Sequence, residues 1–257
     1  MKIIVAVKQV PERDAQIVIA PGGKGIDERD LAYGINEPDA YALEEALQLR
    51  EKHGGEVIAL SAGPKRVAST LREALAKGAD RAIHIQADDL AARDTLAVAQ
   101  LLADAIRAES PDLILTGLQS DDLGLGQTGV VLAELLGIPH ATLILHVDVE
   151  AGPPMKLTAK RELEDGWFQR VELAAPALLT IQSGGNKLRY ATLMGIKKAR
   201  TKETHTVEAA APGEPSTISL ERIYLPEKQK HTEMLKGTPA EIAAQLVEKL
   251  RSEVRVL

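Results

Sequence analysis

At 257 residues, 45% hydrophobic and 26% charged with 20 glycines and 13 prolines, the chain has the composition of an ordinary globular protein, which excludes collagenous, mucin-like and largely disordered readings. It contains no cysteine, so disulfides, thiolate metal sites, cysteine-held iron–sulfur clusters and a cysteine nucleophile are excluded, and a reducing, cytoplasmic setting is expected. A net charge of −6 and only 2% aromatic residues speak against generic nucleic-acid binding and base-stacking platforms.

The N-terminal MKIIVAVKQVPERD places the short apolar run Ile3–Val7 directly before Lys8. It is too short for a signal segment or a membrane span and reads as a buried first strand. Further strands are predicted at Glu56–Ser61, Ala82–Ile85, Asp112–Thr116 and Ala141–Val147. Helical stripes lie between them: Leu43, Ala46 and Leu47; Leu71, Leu75 and Ala79; Leu96, Ala99, Ala103 and Ile106. This alternation predicts an α/β fold with a parallel sheet covered on both faces, and near-continuous apolar runs such as IIVAV are what two-sided burial requires. Ligands of such sheets sit at the carboxyl ends of the strands, which directs attention to the loops after Val7, Ser61 and Thr116. From Lys156 to Gln182 a hairpin and one further strand are predicted, and there the sheet is expected to end.

Beyond Ser183 come Gly184-Gly185, a basic stretch to Lys202 and a Pro/Ala-rich piece from Ala209 to Pro215. Roughly 50 residues without periodicity are unusual inside a compact domain, where loops rarely exceed about 15 residues, so this segment is expected to be disordered or pinned to a surface. Thr238-Pro239-Ala240-Glu241 then spells a capping box with Pro at the first helical position, ahead of an apolar face of Ile242, Leu246, Val247 and Leu250. Such a helix wants a surface to bury against, and another subunit is the natural candidate. The expected division is a nucleotide-binding α/β domain over 1–183 and a recognition loop and C-terminal arm over 184–257, the arm packing on a partner.

The segment Asp112–Gly137 reads strand, glycine-rich loop, helix. Unpaired N–H groups and the positive dipole end at a helix start favour phosphate, and Gly117, Gly124, Gly126 and Gly129 let backbone approach a ligand. The alternative is a merely flexible connection. Gly124–Gly129 also satisfies G-x-G-x-x-G, but seven residues separate Thr116 from Gly124 and the motif follows the fourth strand, so it is rejected as a dinucleotide fingerprint. Asn36-Glu37-Pro38-Asp39 is accounted for by helix-start chemistry alone, while Asp121 and Asp122 suit either a ribose or a position beside a helix start. His53, His84, His140, His146, His205 and His231 have no paired-ligand spacing, and no G-x-S-x-G elbow or G-x-x-x-x-G-K-[ST] loop occurs. No catalytic or metal residue is assigned, and binding is better supported than catalysis. Lys187, Arg189, Lys197, Lys198, Arg200 and Lys202, interleaved with Tyr190, Leu193, Met194 and Ile196, form either a solvated arm or a surface for an acidic partner.

VAVKQVP, INEPDAYALEEAL, SAGP, LREALAKGADRAIHI, PDLILTGLQSDD, GQTG, PALLTIQ and NKLRYATLMGIKKA stand in one order and spacing. Over Met1 to about Gly237 the chain thereby resembles the electron transfer flavoprotein beta subunit family. The resemblance implies a Rossmann-like, adenine nucleotide alpha hydrolase-like sheet. It also implies a heterodimer whose alpha subunit mainly holds FAD, while this chain binds AMP and shapes the FAD site without being an enzyme itself. By matching positions, AMP contacts come from Ala6, Asn36, Glu37, Pro38, Asp39, Ala62, Gly117, Gln119, Ser120, Asp121, Asp122, Gly124, Leu125, Gly126, Gln127 and Thr128. The partner-docking segment corresponds to Gly185, Asn186, Lys187, Leu188, Arg189 and Tyr190, where Gly185 and Lys187-Leu188 depart from the family's apolar anchor and Glu-Pro. The implied transient partners are a flavin-dependent dehydrogenase and a quinone reductase, with no nucleic acid and no membrane insertion. Alternatives are an electron-bifurcating relative with a second FAD in the AMP position and NADH oxidation, a stand-alone nucleotide-binding stress-type domain, and a nicotinamide-dependent enzyme using Gly124–Gly129.

Overall fold

The computed structural model describes residues 1–211, 216, 218–226 and 232–256. They form two compact units, Met1–Glu221 and Arg222–Leu257. The first unit contains all eleven strands: β1 (Lys2–Ala6), β2 (Gln9–Pro11), β3 (Tyr33–Ile35), β4 (Glu56–Gly63), β5 (Arg81–Gln86), β6 (Leu113–Gly117), β7 (His140–Glu150), β8 (Lys156–Glu162), β9 (Phe168–Ala174), β10 (Ala177–Ile181) and β11 (Thr204–Glu208). Its helices are α1 (Glu37–His53), α2 (Ala68–Lys77), α3 (Thr95–Glu109), α4 (Thr128–Leu136) and α5 (Leu193–Ala199).

Nine strands make one sheet in the order β11-β5-β4-β1-β6-β10-β7-β8-β9. Pairing is parallel from β11 to β7 and antiparallel only through the β7–β8–β9 meander. The fold is the expected Rossmann-like α/β sheet. Because successive side chains of a strand point to opposite faces, the apolar runs divide into two cores. Ile3, Val5, Val57, Ala59, Leu113, Leu115 and Leu179 pack with Leu43 and Leu47 of α1 and Leu71 and Leu75 of α2. Ile4, Ile58, Leu60, Ile83, Ile114 and Leu178 pack with Leu102 and Ile106 of α3 and Leu132 of α4.

Two pairings lie outside the sequence expectation. β2 and β3 form a short antiparallel ribbon, three residues each and too brief to show a period. The sheet does not end near Gln182 either, because β11 adds in parallel to β5 at the opposite edge. All five β11 side chains are exposed, so backbone pairing and not a buried face places this strand, and no hydrophobic pattern announces it. The stretch after Ser183 is pinned rather than loose. Arg189 reaches Glu44 and Glu51 of α1, and the Lys202 ammonium donates to the carbonyls of Leu75 and Ala79 at the end of α2. The Pro/Ala-rich piece from Ala209 lies partly outside the described residues.

The second unit carries α6 (Pro239–Lys249), as the capping box predicted. The Glu241 carboxylate accepts from both the backbone N–H and the hydroxyl of Thr238, which holds its carboxyl below the usual range. Leu246 and Val247 of the expected apolar face are exposed.

Candidate functional site

β1 is central, with β4 on one side and β6 on the other. The chain runs outward from β1 through β4 and β5, then returns across to β6, so the sheet reverses its winding between β1 and β6. A crevice at the carboxyl ends of the strands is expected at such a switch point. Ala6 ends β1 directly beside Thr116 on one side and Leu60 on the other. The β6–α4 loop, 118–127, leaves from the same place.

Asp39, in the first turn of α1, closes the gap between the two strand ends. Its Oδ2 accepts the N–H of Lys8 just past β1 at 2.7 Å, and its Oδ1 accepts that of Gly117 at the end of β6 at 2.8 Å. The residue is 6% exposed, and burial pushes its carboxyl up to about 7, against the lowering effect of the Lys8 and Gly117 amides and the Asn36 side chain. Gly117 is a steric requirement, since a Cβ there would run into the Asp39 carboxylate and the Pro38 ring.

Asn36 occupies the N-cap position of α1 without making a side-chain cap, so the helix-start account of it does not hold. Its Nδ2 donates to the Gln119 carbonyl at 3.0 Å and its Oδ1 accepts the Asp121 N–H at 2.9 Å. Asp121 in turn accepts the Glu37 N–H at 3.2 Å, which caps α1 from across the site. Asp122 pairs with the Lys8 ammonium at 2.6 Å, and Ser120 accepts from the same group at 3.2 Å. Burial works to raise the Asp122 carboxyl, but the Lys8 and Ser120 contacts prevail and hold it below its usual range. Lys8 is the site residue that sequence reasoning missed, although its signal is visible: a lysine immediately after a fully buried strand must project at the strand's carboxyl end.

Beyond Asp122 the loop is open. Gly124 and Gly126 adopt φ of +62° and +63°, and residues 121–127 are exposed. Among the described residues, the N–H groups of Leu125, Gly126, Gln127 and Thr128 have no hydrogen-bond partner, and Gln127 gives α4 no side-chain cap. Gly129 lets the start of α4 lie against Thr116 and Thr180, where a Cβ would collide. A row of exposed, unpaired amides leading into a nine-residue helix fits the phosphate of a nucleotide. The structure thus joins Ala6, Asn36–Asp39 and Gly117–Thr128 in one place. Ala62 lies one strand over on β4, two residues beyond Leu60.

The six residues from Gly185 to Tyr190 make a separate feature against α1 and β7. The Gly185 backbone presses on the Leu145 carbonyl so closely that no Cβ fits, which leaves no room here for an apolar anchor at that position. Asn186 donates to Glu45 at 3.1 Å, and Leu188 borders a small cleft with Ala40, Leu43 and Leu47. Lys187 is exposed and Tyr190 is 91% exposed. Among the described residues, no cluster of three or more His, Asp or Glu side chains could hold a metal ion, and no helix is long and apolar enough to cross a membrane.

The electron transfer flavoprotein domain model matches residues 24–212. The chain is 40% identical over 258 residues to the electron transfer flavoprotein subunit beta of Methylophilus methylotrophus, covering 96% of this chain and 97% of the relative. It is 37% identical to the subunit of the same name from Bacillus subtilis (strain 168) over the whole of both chains. It is also 36% identical over the whole of both chains to the mitochondrial one of Oryza sativa subsp. japonica. A family model spanning most of the sheet unit, joined to full-length relatives of one description, places this chain in the electron transfer flavoprotein beta subunit family.

Proposed function

We propose that this chain works as one half of a heterodimer with an electron transfer flavoprotein alpha subunit, holds AMP at the β6–α4 loop, and shapes one wall of an FAD site kept mainly by that partner. The observation that carries the AMP reading is the run of unpaired amides from Leu125 to Thr128 at the switch point. Those amides and the α4 start would receive the phosphate; Asn36, Asp39 and Lys8 keep the loop in place for it. Flavin supplies the one- and two-electron chemistry when bound. This chain's residues bind, orient and dock, and form no bond with a substrate. Residues 185–190 would meet a flavin-dependent dehydrogenase as donor, with a quinone reductase as acceptor, while the unit from Arg222 onward packs on the alpha subunit. The absence of cysteine supports a cytoplasmic setting, and the net negative charge argues against nucleic acid as a partner.

The test is to co-express the chain with its alpha subunit, denature the purified complex and identify the released nucleotides by chromatography. One FAD and one AMP per heterodimer is the expected result. Two FAD and no AMP would replace this reading by electron bifurcation. A stable homodimer with no flavoprotein partner would overturn it in favour of a stand-alone nucleotide-binding domain.

A further inference from the structure

Helix α1 carries two adjacent carboxylates, Glu44 and Glu45, that are almost fully buried. Their partners include residues of a segment with no regular structure. The Glu44 carboxylate takes the Arg189 guanidinium as a fork, Oε2 accepting from Nε at 2.7 Å and Oε1 from Nη2 at 3.0 Å, with Gln48 on Oε1 at 2.8 Å. Two turns along the helix, Glu51 closes the other edge of the guanidinium, accepting from Nη1 at 2.6 Å. Arg189 in return holds the Glu51 carboxyl below its usual range. Glu45 accepts the Asn186 side-chain amide at 3.1 Å on Oε2 and the Val147 N–H at 2.7 Å on Oε1, and His146 Nδ1 lies 3.0 Å from the same Oε1.

Asn186 and Arg189 are therefore clamped while the residues that follow face solvent: Tyr190 is 91% exposed, Leu193 87% and Met194 63%. A bidentate guanidinium–carboxylate pair fixes orientation as well as position, which a single lysine contact does not. A carboxylate kept out of water is costly to leave unpaired, so the segment is held against α1 and not merely resting on it. Ordering exposed apolar side chains before an encounter removes part of the entropy cost of association.

We infer that Glu44 and Glu45 are positioning residues for the docking segment, fixing Asn186 and Arg189 so that Tyr190, Leu193 and Met194 are presented to a flavin-dependent dehydrogenase in one geometry. This inference rests on the reading of residues 185–190 as that segment. The role belongs to the carboxylates, since neither touches the donor or a nucleotide.

The experiment uses the purified heterodimer with Glu44→Gln and Glu45→Gln. It reads backbone hydrogen exchange by residue, and KM and kcat for reduction by a purified flavin-dependent dehydrogenase that reduces the wild type. Each substitution should speed exchange at the Arg189 amide, whose N–H donates to Glu44 Oε2 at 3.4 Å, by about tenfold or more, the factor lost with one hydrogen bond to a charged group. Amides of β1 and β6 should exchange as before, and KM should rise several-fold at constant kcat, a split that a general loss of stability does not produce. Unchanged exchange at the Arg189 amide, or a rise shared equally by β1 and β6, overturns the proposal. Where a glutamine variant does not fold, Arg189→Lys keeps the charge and loses the fork; it should speed exchange at the amide of residue 189 in the same way, and a silent result there overturns the proposal as well. Faster exchange with unchanged KM would keep the positioning role and remove donor docking from the segment, which separates the two readings.

Discussion

Asp39 offers a test in which the sign of a pH effect is fixed by the structure. Its carboxyl is displaced from the ordinary 3.8 to about 7, and at 1.36 kcal/mol per pH unit this corresponds to about 4 kcal/mol. Between pH 4 and pH 7 the folded chain retains a proton that the unfolded chain releases. Stability from this group is therefore full below pH 4 and is lost as pH rises through about 7. Asp39→Asn removes the titration and keeps the size. It retains one oxygen for one of the two N–H donors, Lys8 or Gly117, and turns an NH₂ toward the other, which costs about 1–3 kcal/mol for the orphaned amide.

Comparing the two proteins at each pH cancels every group they share. The asparagine variant should show its largest deficit below pH 4, and relative to that value its deficit should shrink by up to about 4 kcal/mol by pH 8, where the wild type pays for burying an ionised carboxylate. The assay is urea unfolding of the purified heterodimer at fixed concentration, because association contributes to apparent stability. A deficit that is constant with pH, or that grows as pH rises, would refute the reasoning: Asp39 would then be ionised throughout, held so by its two amide donors.

Gly117→Ala should destabilise by about 1–3 kcal/mol through overpacking, because its new methyl meets the Asp39 carboxylate and Pro38, and should release AMP from the purified complex on gel filtration. Lys8→Met removes the partner of Asp122 and Ser120, so the Asp122 carboxyl should titrate higher in carboxylate NMR and AMP retention should fall while overall stability changes by less than about 2 kcal/mol. Thr238→Ala deletes one donor to Glu241 at the start of α6 and should cost that helix about 1 kcal/mol, read as faster amide exchange in its first turn.

The parallel sheet was legible because its strands are buried on both faces: IIVAV, LILTG and ALLTI can be little else, and alternate residues of each run sort into two separate cores. The loops at the strand ends were legible for the same reason, since topology alone directs ligands there. What stayed hidden was long-range polar pairing. Nothing in NEPD states that Asn36 reaches Gln119 and Asp121 instead of capping its own helix. Nothing in LEEAL states that two glutamates on an otherwise apolar face will be satisfied by Asn186, Arg189 and Val147. Hydrophobic periodicity reports which face is buried; a buried carboxylate breaks that period, and its partner can be any residue the fold brings near. β11 escaped through the opposite failure, a strand with no buried side chain at all.

Why α1 carries so many polar ties follows from where it begins. A helix leaving the end of the central strand region at a switch point must cross the gap between β1 and β6, where two strand-end amides, Lys8 and Gly117, have no strand to pair with. One buried carboxylate in its first turn satisfies both, and it can do so only if residue 117 lacks a side chain. The same rigid helix, 17 residues and so about 25 Å long, then reaches far enough to hold Asn186 and Arg189 with its second to fourth turns. The β6–α4 loop proposed for the nucleotide and the segment proposed for docking are thus both registered to one element. Loosening α1 at its first turn should disturb AMP retention before it disturbs donor docking, and loosening it at Glu44 should do the reverse.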